Sequence, residues 1–362
     1  MESLVIDPSF WQGKSVLVTG HTGFKGSWLS LWLNELGANV TGYALAPATN
    51  PSMYDSLALD DELDSIVADI SDLATLAVTI KTSQPDIVFH LAAQSLVKPS
   101  YDDPVNTYQT NVMGTVNVLE AVRHCPSVKA VVIVTSDKCY ENYEWSWPYR
   151  ENDRLGGHDP YSNSKGCAEL VTDSYRKSFF ADNKTAIATA RAGNVIGGGD
   201  WSDYRLLPDL IKAKQNTQPL EIRHPAAIRP WQHVLEPLSG YLQLAQQLCE
   251  SGVDVAEAWN FGPVQEDIKP VHYLVEQAQK KWSSFEWYSP SQNEHHEANI
   301  LMLDCSKARQ KLGWQPVWRI DDALSKTFDW YDAFYSGKEM REFSLQQIQQ
   351  FVQAANPQLF KA

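Results

Sequence analysis

Six short apolar runs, each followed by polar or glycine-rich residues and then mostly by helix-spaced sequence, constrain this chain more than any other feature. They lie at 15–19, 40–44, 66–70, 86–91, 131–135 and 185–190. Runs this apolar suit strands buried on both faces, as in a parallel sheet. Between the first two, Trp28, Leu29, Leu31, Trp32 and Leu36 recur at helical spacing and Gly37 offers a stop. A further helix is predicted over 106–124. Strands that alternate with helices predict an α/β fold, a doubly wound parallel sheet with helices on both faces. Ligands of such sheets bind beyond the carboxyl ends of the strands. Gly20, Asp69, His90 and Thr135 all fall at those ends, which points to one shared site.

After about Asn194 the alternation fails and Pro, Trp, Arg and His become frequent. We therefore place a dinucleotide-binding domain over 1–190 and a smaller mixed α/β C-terminal substrate lobe over 191–362. A segment near 230–262, centred on 255–262, is expected to return to the sheet. The Gln-rich stretch from Glu339 is expected to be helical. The net charge of -14 argues against nucleic acid or an anionic membrane face as partner. The five cysteines have no metal-ligand or paired spacing, so free thiols and no metal are expected. No run approaches the roughly 18 apolar residues of a membrane helix, and Glu2, Asp7 and Pro8 do not resemble a secretory leader. A soluble cytoplasmic protein is expected.

The run Gly20-His21-Thr22-Gly23-Phe24-Lys25-Gly26 follows the first strand and opens the first helix. In a Rossmann sheet this turn lets a pyrophosphate approach the helix N-terminus, and NAD is the expected cofactor. The same glycines would also serve a turn that needs them only for packing. Asp69 and Ile70 after the third strand suit the adenine end, although Asp69 equally suits a solvated strand end. Leu91, Ala92, Ala93 and Gln94 follow the fourth strand, with small residues where a cofactor could pass. The second strand lacks the usual ribose carboxylate, reading Thr41-Gly42-Tyr43-Ala44-Leu45, and offers no cation for a 2′-phosphate. NAD is preferred to NADP on that ground.

Thr135-Ser136-Asp137-Lys138-Cys139-Tyr140 ends the fifth strand, and Tyr161 and Lys165 follow downstream. Spaced four apart, Tyr161 and Lys165 face the same way on a helix. An ammonium beside a phenol favours the phenolate, which makes a base for alcohol oxidation. Asp137 and Lys138 add a second acid/base pair that a simple dehydrogenase does not need. Alone, that pair would read as a surface ion pair of little worth; beside Ser136, Tyr161 and Lys165 it reads as chemistry.

The strings GHTGFKG, HLAAQ, TSDKCY and YSNSK resemble the extended short-chain dehydrogenase/reductases that act on nucleotide sugars, and the likeness spans nearly the whole chain. TSDKCYEN, LGGHDPYSNSKGCAE, GGGDW and RPWQHVLEPLSGYL resemble more narrowly the 4,6-dehydratases of CDP-glucose. By that resemblance Lys138 stands where the dTDP-glucose enzymes carry Glu. The missing ribose carboxylate is shared with the CDP-glucose group.

The resemblance implies oxidation at C-4, elimination of water across C-5 and C-6, and reduction at C-6. Tyr161, Lys165 and Ser136 would serve the oxidation, with Asp137 as acid and Lys138 as base in the elimination. A shared role or a water relay fits that pair equally well. Asn111 would brace the sheet near the nicotinamide, or is a plain helix residue. Arg191 and Asn194 open the segment that meets the sugar nucleotide in this family. Arg229 is the best diphosphate clamp, with Arg205 and Arg223 weaker candidates. Trp201 either stacks on a base or fills the lobe's core. His296 and Glu297 either line the far side of the site or belong to a polar loop. Relatives pair through helices corresponding to 106–124 and 161–179, so a homodimer or dimer of dimers is expected, and the implied pathway is dideoxysugar synthesis for a bacterial O-antigen or related lipopolysaccharide. The competing readings are a nucleotide-sugar 4-epimerase or reductase, which would not need Asp137 with Lys138, and a non-catalytic NAD sensor.

Overall fold

Seven strands form the central sheet: β1 (Ser15–Thr19), β2 (Asn39–Ala44), β3 (Asp64–Val67), β4 (Ile87–His90), β5 (Ala130–Val134), β6 (Ala186–Ala192) and β7 (Ala258–Phe261). The structure is a computed structural model describing residues 6–356 apart from 182–183, 284 and 291–297. All strand pairs in the sheet are parallel, in the order β7-β6-β5-β4-β1-β2-β3. Chain order reverses between β1 and β4, which opens a crevice at their carboxyl ends.

Period-two alternation divides the sheet's side chains between two apolar clusters. Ala130, Val132 and Val134 of β5 face one cluster, whereas Val131 and Ile133 face the other. The second cluster is covered by α2 (Leu73–Ser83), by a helix over 104–123 and by α4 (Pro160–Phe179). The helix over 104–123 (α3) carries a π turn at Gln109–Met113, which displaces Asn111 from regular helical register.

The first cluster lies under α1 (Phe24–Glu35) and α6 (Leu235–Ser251) and runs on into the C-terminal lobe. That lobe contains α5 (Leu206–Gln215), α7 (Val271–Lys281), α8 (Ile320–Tyr335), α9 (Met340–Ala355) and three two-stranded pieces. Glu339 caps α9 by accepting the backbone N–H groups of Arg341 and Glu342. Phe351 of α9 packs edge-on to Trp32 of α1, with centroids 5.8 Å apart.

Two elements differ from expectation. β3 ends at Val67, because its sole neighbour β2 ends at the paired Ala44; Asp69 then turns outward and accepts the backbone N–H of Ser71. β6 runs on to Ala192 beside β7, so Arg191 is a strand residue and does not begin a separate lobe.

Candidate active site

The carboxyl ends of β1, β4, β5 and β6, with α1, α4 and α5, wall a cavity of about 420 Å³. Among the described residues, seven Lys or Arg side chains line it (Lys25, Lys98, Lys138, Lys165, Arg205, Arg223 and Arg229) against four carboxyls (Asp137, Asp200, Asp209 and Glu221). A chain of net charge -14 thus presents a cationic cleft, suited to a phosphorylated ligand.

The glycine turn forms one end. Gly20 sits at φ +76°, and a Cβ on Gly26 would lie 2.0 Å from the Gly20 carbonyl oxygen, so helix and strand meet only because both positions lack side chains. Gly23 N-caps α1 without a side-chain hydrogen bond, leaving the first N–H groups of the helix for an anion. Gly20, Phe24, Lys25 and Gly26 line the cavity. These features fit a dinucleotide pyrophosphate. Leu91, Ala93 and Thr135 also line the cavity.

Several predicted cofactor residues are placed around the cavity rather than in its wall. Thr22 donates its hydroxyl to the Leu45 carbonyl. The Ala92 N–H donates to the Thr19 hydroxyl oxygen. The Asn111 side chain bonds both N–H and C=O of Gln94 at 2.9 Å and the Ser164 hydroxyl at 2.8 Å, tying the β4 loop to α4. Asp69 is exposed on the surface and Ile70 is buried; neither lines this cavity.

The turn after β5 is shaped by Ser136, whose hydroxyl accepts the Lys138 N–H at 3.2 Å and donates to Asp137 Oδ1 at 3.0 Å. Asp137 is 3% exposed and its Oδ2 has no hydrogen-bond partner among the described residues. Burial pushes its carboxyl above the ordinary value, outweighing Lys138 and Ser136. Asp159 caps α4, and the Tyr161 N–H donates to Ser100 Oγ. Ser136, Asp137, Lys138, Tyr161 and Lys165 all line the cavity.

The expected phenolate is not what this geometry favours. Burial raises Tyr161 to about 12 against the opposing hydrogen bond with Ser136. It lowers Lys165 to about 8, and the Lys165 ammonium points to the Val134 carbonyl at 3.4 Å. Lys25 is pushed down to about 7, first by burial and then by Arg205 and Lys165.

Asn194, Arg205 and Arg229 line the cavity. Arg205 bonds Asp200 and Ser95, each at 2.9 Å, and Arg229 bonds the Ile228 carbonyl at 2.9 Å. Two predicted substrate residues lie elsewhere. Arg191 is buried behind the cleft, its Nη2 2.7 Å from Glu169 Oε2, because β6 carries it inward. Trp201 packs on Trp330, Tyr331 and Phe334 in the core of the lobe. His296 and Glu297 lie outside the described residues.

Glu169 was missed by the sequence reading. It holds Thr135 at 2.5 Å, Thr189 at 2.7 Å and Arg191 beneath the site. Its signal was present as the third member of the four-residue spacing 161, 165, 169. Asp200 and Asp209 were also missed: Asp200 lay within GGGDW but was given no role, and nothing local marks Asp209.

A Rossmann sheet with serine, tyrosine and lysine converging at its switch point defines a short-chain dehydrogenase/reductase. The chain belongs to the family described as GDP-mannose 4,6 dehydratase, whose model matches residues 17–327. It is 51% identical over 356 residues to a CDP-glucose 4,6-dehydratase of Salmonella typhimurium, covering 97% of this chain and 99% of the relative. In fold it resembles an epimerase from Methanothermobacter thermautotrophicus, with TM-score 0.79, 24% identity and coverage of 93% of this chain and 98% of that one. It likewise resembles the dTDP-glucose 4,6-dehydratase DesIV from Streptomyces venezuelae, described with NAD and TYD bound, with TM-score 0.76, 24% identity and coverage of 90% and 98%.

Proposed function

We propose that this chain is a CDP-glucose 4,6-dehydratase that uses NAD and converts CDP-glucose to CDP-4-keto-6-deoxyglucose and water. The observation that carries this reading is the position of Asp137 and Lys138 in one cavity with Ser136, Tyr161 and Lys165. The name of the Salmonella typhimurium relative supports the nucleotide.

Gly20, Phe24, Lys25 and Gly26 would hold the dinucleotide. NAD held there would supply the hydride acceptor for C-4 and, once reduced, the hydride donor for C-6. Tyr161 takes the C-4 hydroxyl proton and Ser136 orients that hydroxyl. Only the ionised phenol can take that proton, so a Tyr161 raised by burial must first lose its own proton to solvent. Lys165 anchors the tyrosine electrostatically. The C-4 ketone acidifies C-5, where Lys138 takes the proton. Asp137 gives its proton to the departing C-6 hydroxyl, leaving as water, and burial keeps that proton in place. A proton then returns to C-5. Arg205 and Arg229 grip the diphosphate bidentately.

Residues 191–362 supply most of the substrate walls, and residues 1–190 with β7 supply the cofactor walls. The exposed apolar residues Val105 and Met113 on α3 and Leu170 and Phe179 on α4 support a homodimer built on those helices. No helix among the described residues is long and apolar enough to cross a membrane, and the described cysteines are free, which supports a cytoplasmic location.

The test is incubation with CDP-glucose, with and without added NAD. The expected product has lost one water with no net accumulation of reduced cofactor. No loss of water from folded protein with NAD present would overturn the reading.

A further inference from the structure

Beyond Arg205, one turn further along α5, the active cleft opens into a second cavity of about 360 Å³. The two share Lys98, Tyr204, Asp209, Leu220, Glu221 and Arg223, and no residue of the glycine turn lines the second. If the reacting hexose sits at Tyr161 and its diphosphate at Arg205 and Arg229, the nucleoside has this end of the cleft to occupy.

Asp209 stands apart from the other carboxyls there. Asp200 pairs with Arg205 at 2.9 Å, and Glu221 accepts the Tyr288 hydroxyl at 3.1 Å. Asp137 is held by Ser136. The Asp209 carboxyl accepts no hydrogen bond and forms no ion pair among the described residues, yet it lines both cavities. It lies one turn into α5 from the capping Arg205, its backbone N–H donating to the Arg205 carbonyl at 2.9 Å. Burial raises it to about 6, against the pull of Lys212 and Arg223 and with the push of Asp203 and Asp200. With no donor from the described residues on it, this carboxyl is open to a ligand donor entering the cleft.

We propose that Asp209 reads the base of the nucleotide sugar, accepting a hydrogen bond from the exocyclic amino group of cytosine and so selecting a cytidine over a uridine or thymidine diphosphate sugar. This rests on the CDP-glucose reading of the same site. Cytosine presents an amino donor at position 4, where uracil and thymine present a carbonyl acceptor. A carboxylate, which only accepts, matches that amino donor. An ionised carboxyl facing the 4-carbonyl sets lone pair against lone pair. A polar site built for one donor rejects the analogue that lacks it.

The test compares the wild type, Asp209→Asn and Asp209→Ala for turnover of CDP-, UDP- and dTDP-glucose and for calorimetric binding of CDP and UDP. An amide presents donor and acceptor in either order by turning over, so Asp209→Asn is expected to retain CDP-glucose and gain UDP-glucose. The CDP/UDP ratio should fall by about ten- to a hundredfold. Asp209→Ala is expected to lose CDP affinity and, with the repulsion removed, to bind UDP no worse than the wild type does. A folded Asp209→Asn or Asp209→Ala protein with an unchanged CDP/UDP binding ratio overturns the inference. A wild type that binds CDP selectively through Asp209 but does not dehydrate CDP-glucose would overturn the proposed reaction and leave the base reading standing.

Discussion

Arg191 and Glu169 meet behind the catalytic cleft at 2.7 Å, with only 3% of either side chain exposed. Arg191 also donates to the Tyr140 hydroxyl and the Glu151 carbonyl, and Glu169 collects the Thr135 and Thr189 hydroxyls. The pair therefore locks β6, α4 and the residue before Ser136 into one unit. Removing one partner strands a buried charge, which costs about 3–5 kcal/mol.

Arg191→Met is accordingly expected to lower stability by about that amount in denaturant unfolding while leaving KM for CDP-glucose within about twofold. A diphosphate-binding arginine would behave the other way, with KM rising steeply and stability little changed. Arg229→Met provides that contrast, since Arg229 lines the cavity.

Asp137→Asn separates the two halves of the proposed reaction. An amide cannot donate the proton that the C-6 hydroxyl requires, so turnover is expected to fall by about 10²–10⁴. Oxidation at C-4 does not need Asp137, so enzyme-bound reduced cofactor should accumulate in a single-turnover absorbance experiment. Tyr161→Phe should show neither reduced cofactor nor dehydration. Equal loss of oxidation in both variants would deny Asp137 its role as acid.

Much of this was legible because it is local. β1, β5 and the glycine turn are written as contiguous runs, and Tyr161 with Lys165 needs only helical spacing. Arg191 was misplaced because a cation near a motif reads the same whether it faces ligand or core; only its partner, twenty-two positions earlier in sequence, decides. Trp201 posed the same ambiguity, resolved by α8 aromatics more than a hundred residues away. The charge states were not legible at all. Proximity of Lys165 to Tyr161 suggests a phenolate, and the depth at which the fold buries both works against it.

The glycine turn gives a sharper test than its motif. A methyl at position 26 would lie 2.0 Å from the Gly20 carbonyl oxygen and 2.8 Å from His21 Cα, and both obstacles are backbone. Gly26→Ala must push α1 away from β1, at about 1–3 kcal/mol for an overpacked contact. NAD binding is expected to weaken more than tenfold, read by calorimetry, alongside a lower melting temperature. Unchanged NAD affinity would mean that the turn serves packing alone.

Acid should unfold this protein early, for a reason visible in three buried histidines. Burial holds His90 and His233 at about 3 and His21 at about 4, each from 6.5. Above the ordinary value both folded and unfolded chains keep them neutral, and their full contribution to stability is present. As pH falls below it, the unfolded chain takes up protons that the fold refuses, and each histidine costs up to about 1.4 kcal/mol per pH unit until its folded value is reached. Glu236 opposes them. Buried and held at about 8 from 4.5, it favours the fold increasingly as pH falls from 8 towards 4.5. Asp209, raised to about 6, and Asp137, raised too, join Glu236 at the lower end, so the net loss is greatest between about pH 6.5 and 6. The melting temperature is therefore expected to decline steeply over that window, and Glu236→Gln should steepen the acid side further by removing one opposing group. A melting temperature that stays level from pH 7 to 5 would mean that these imidazoles accept protons in place.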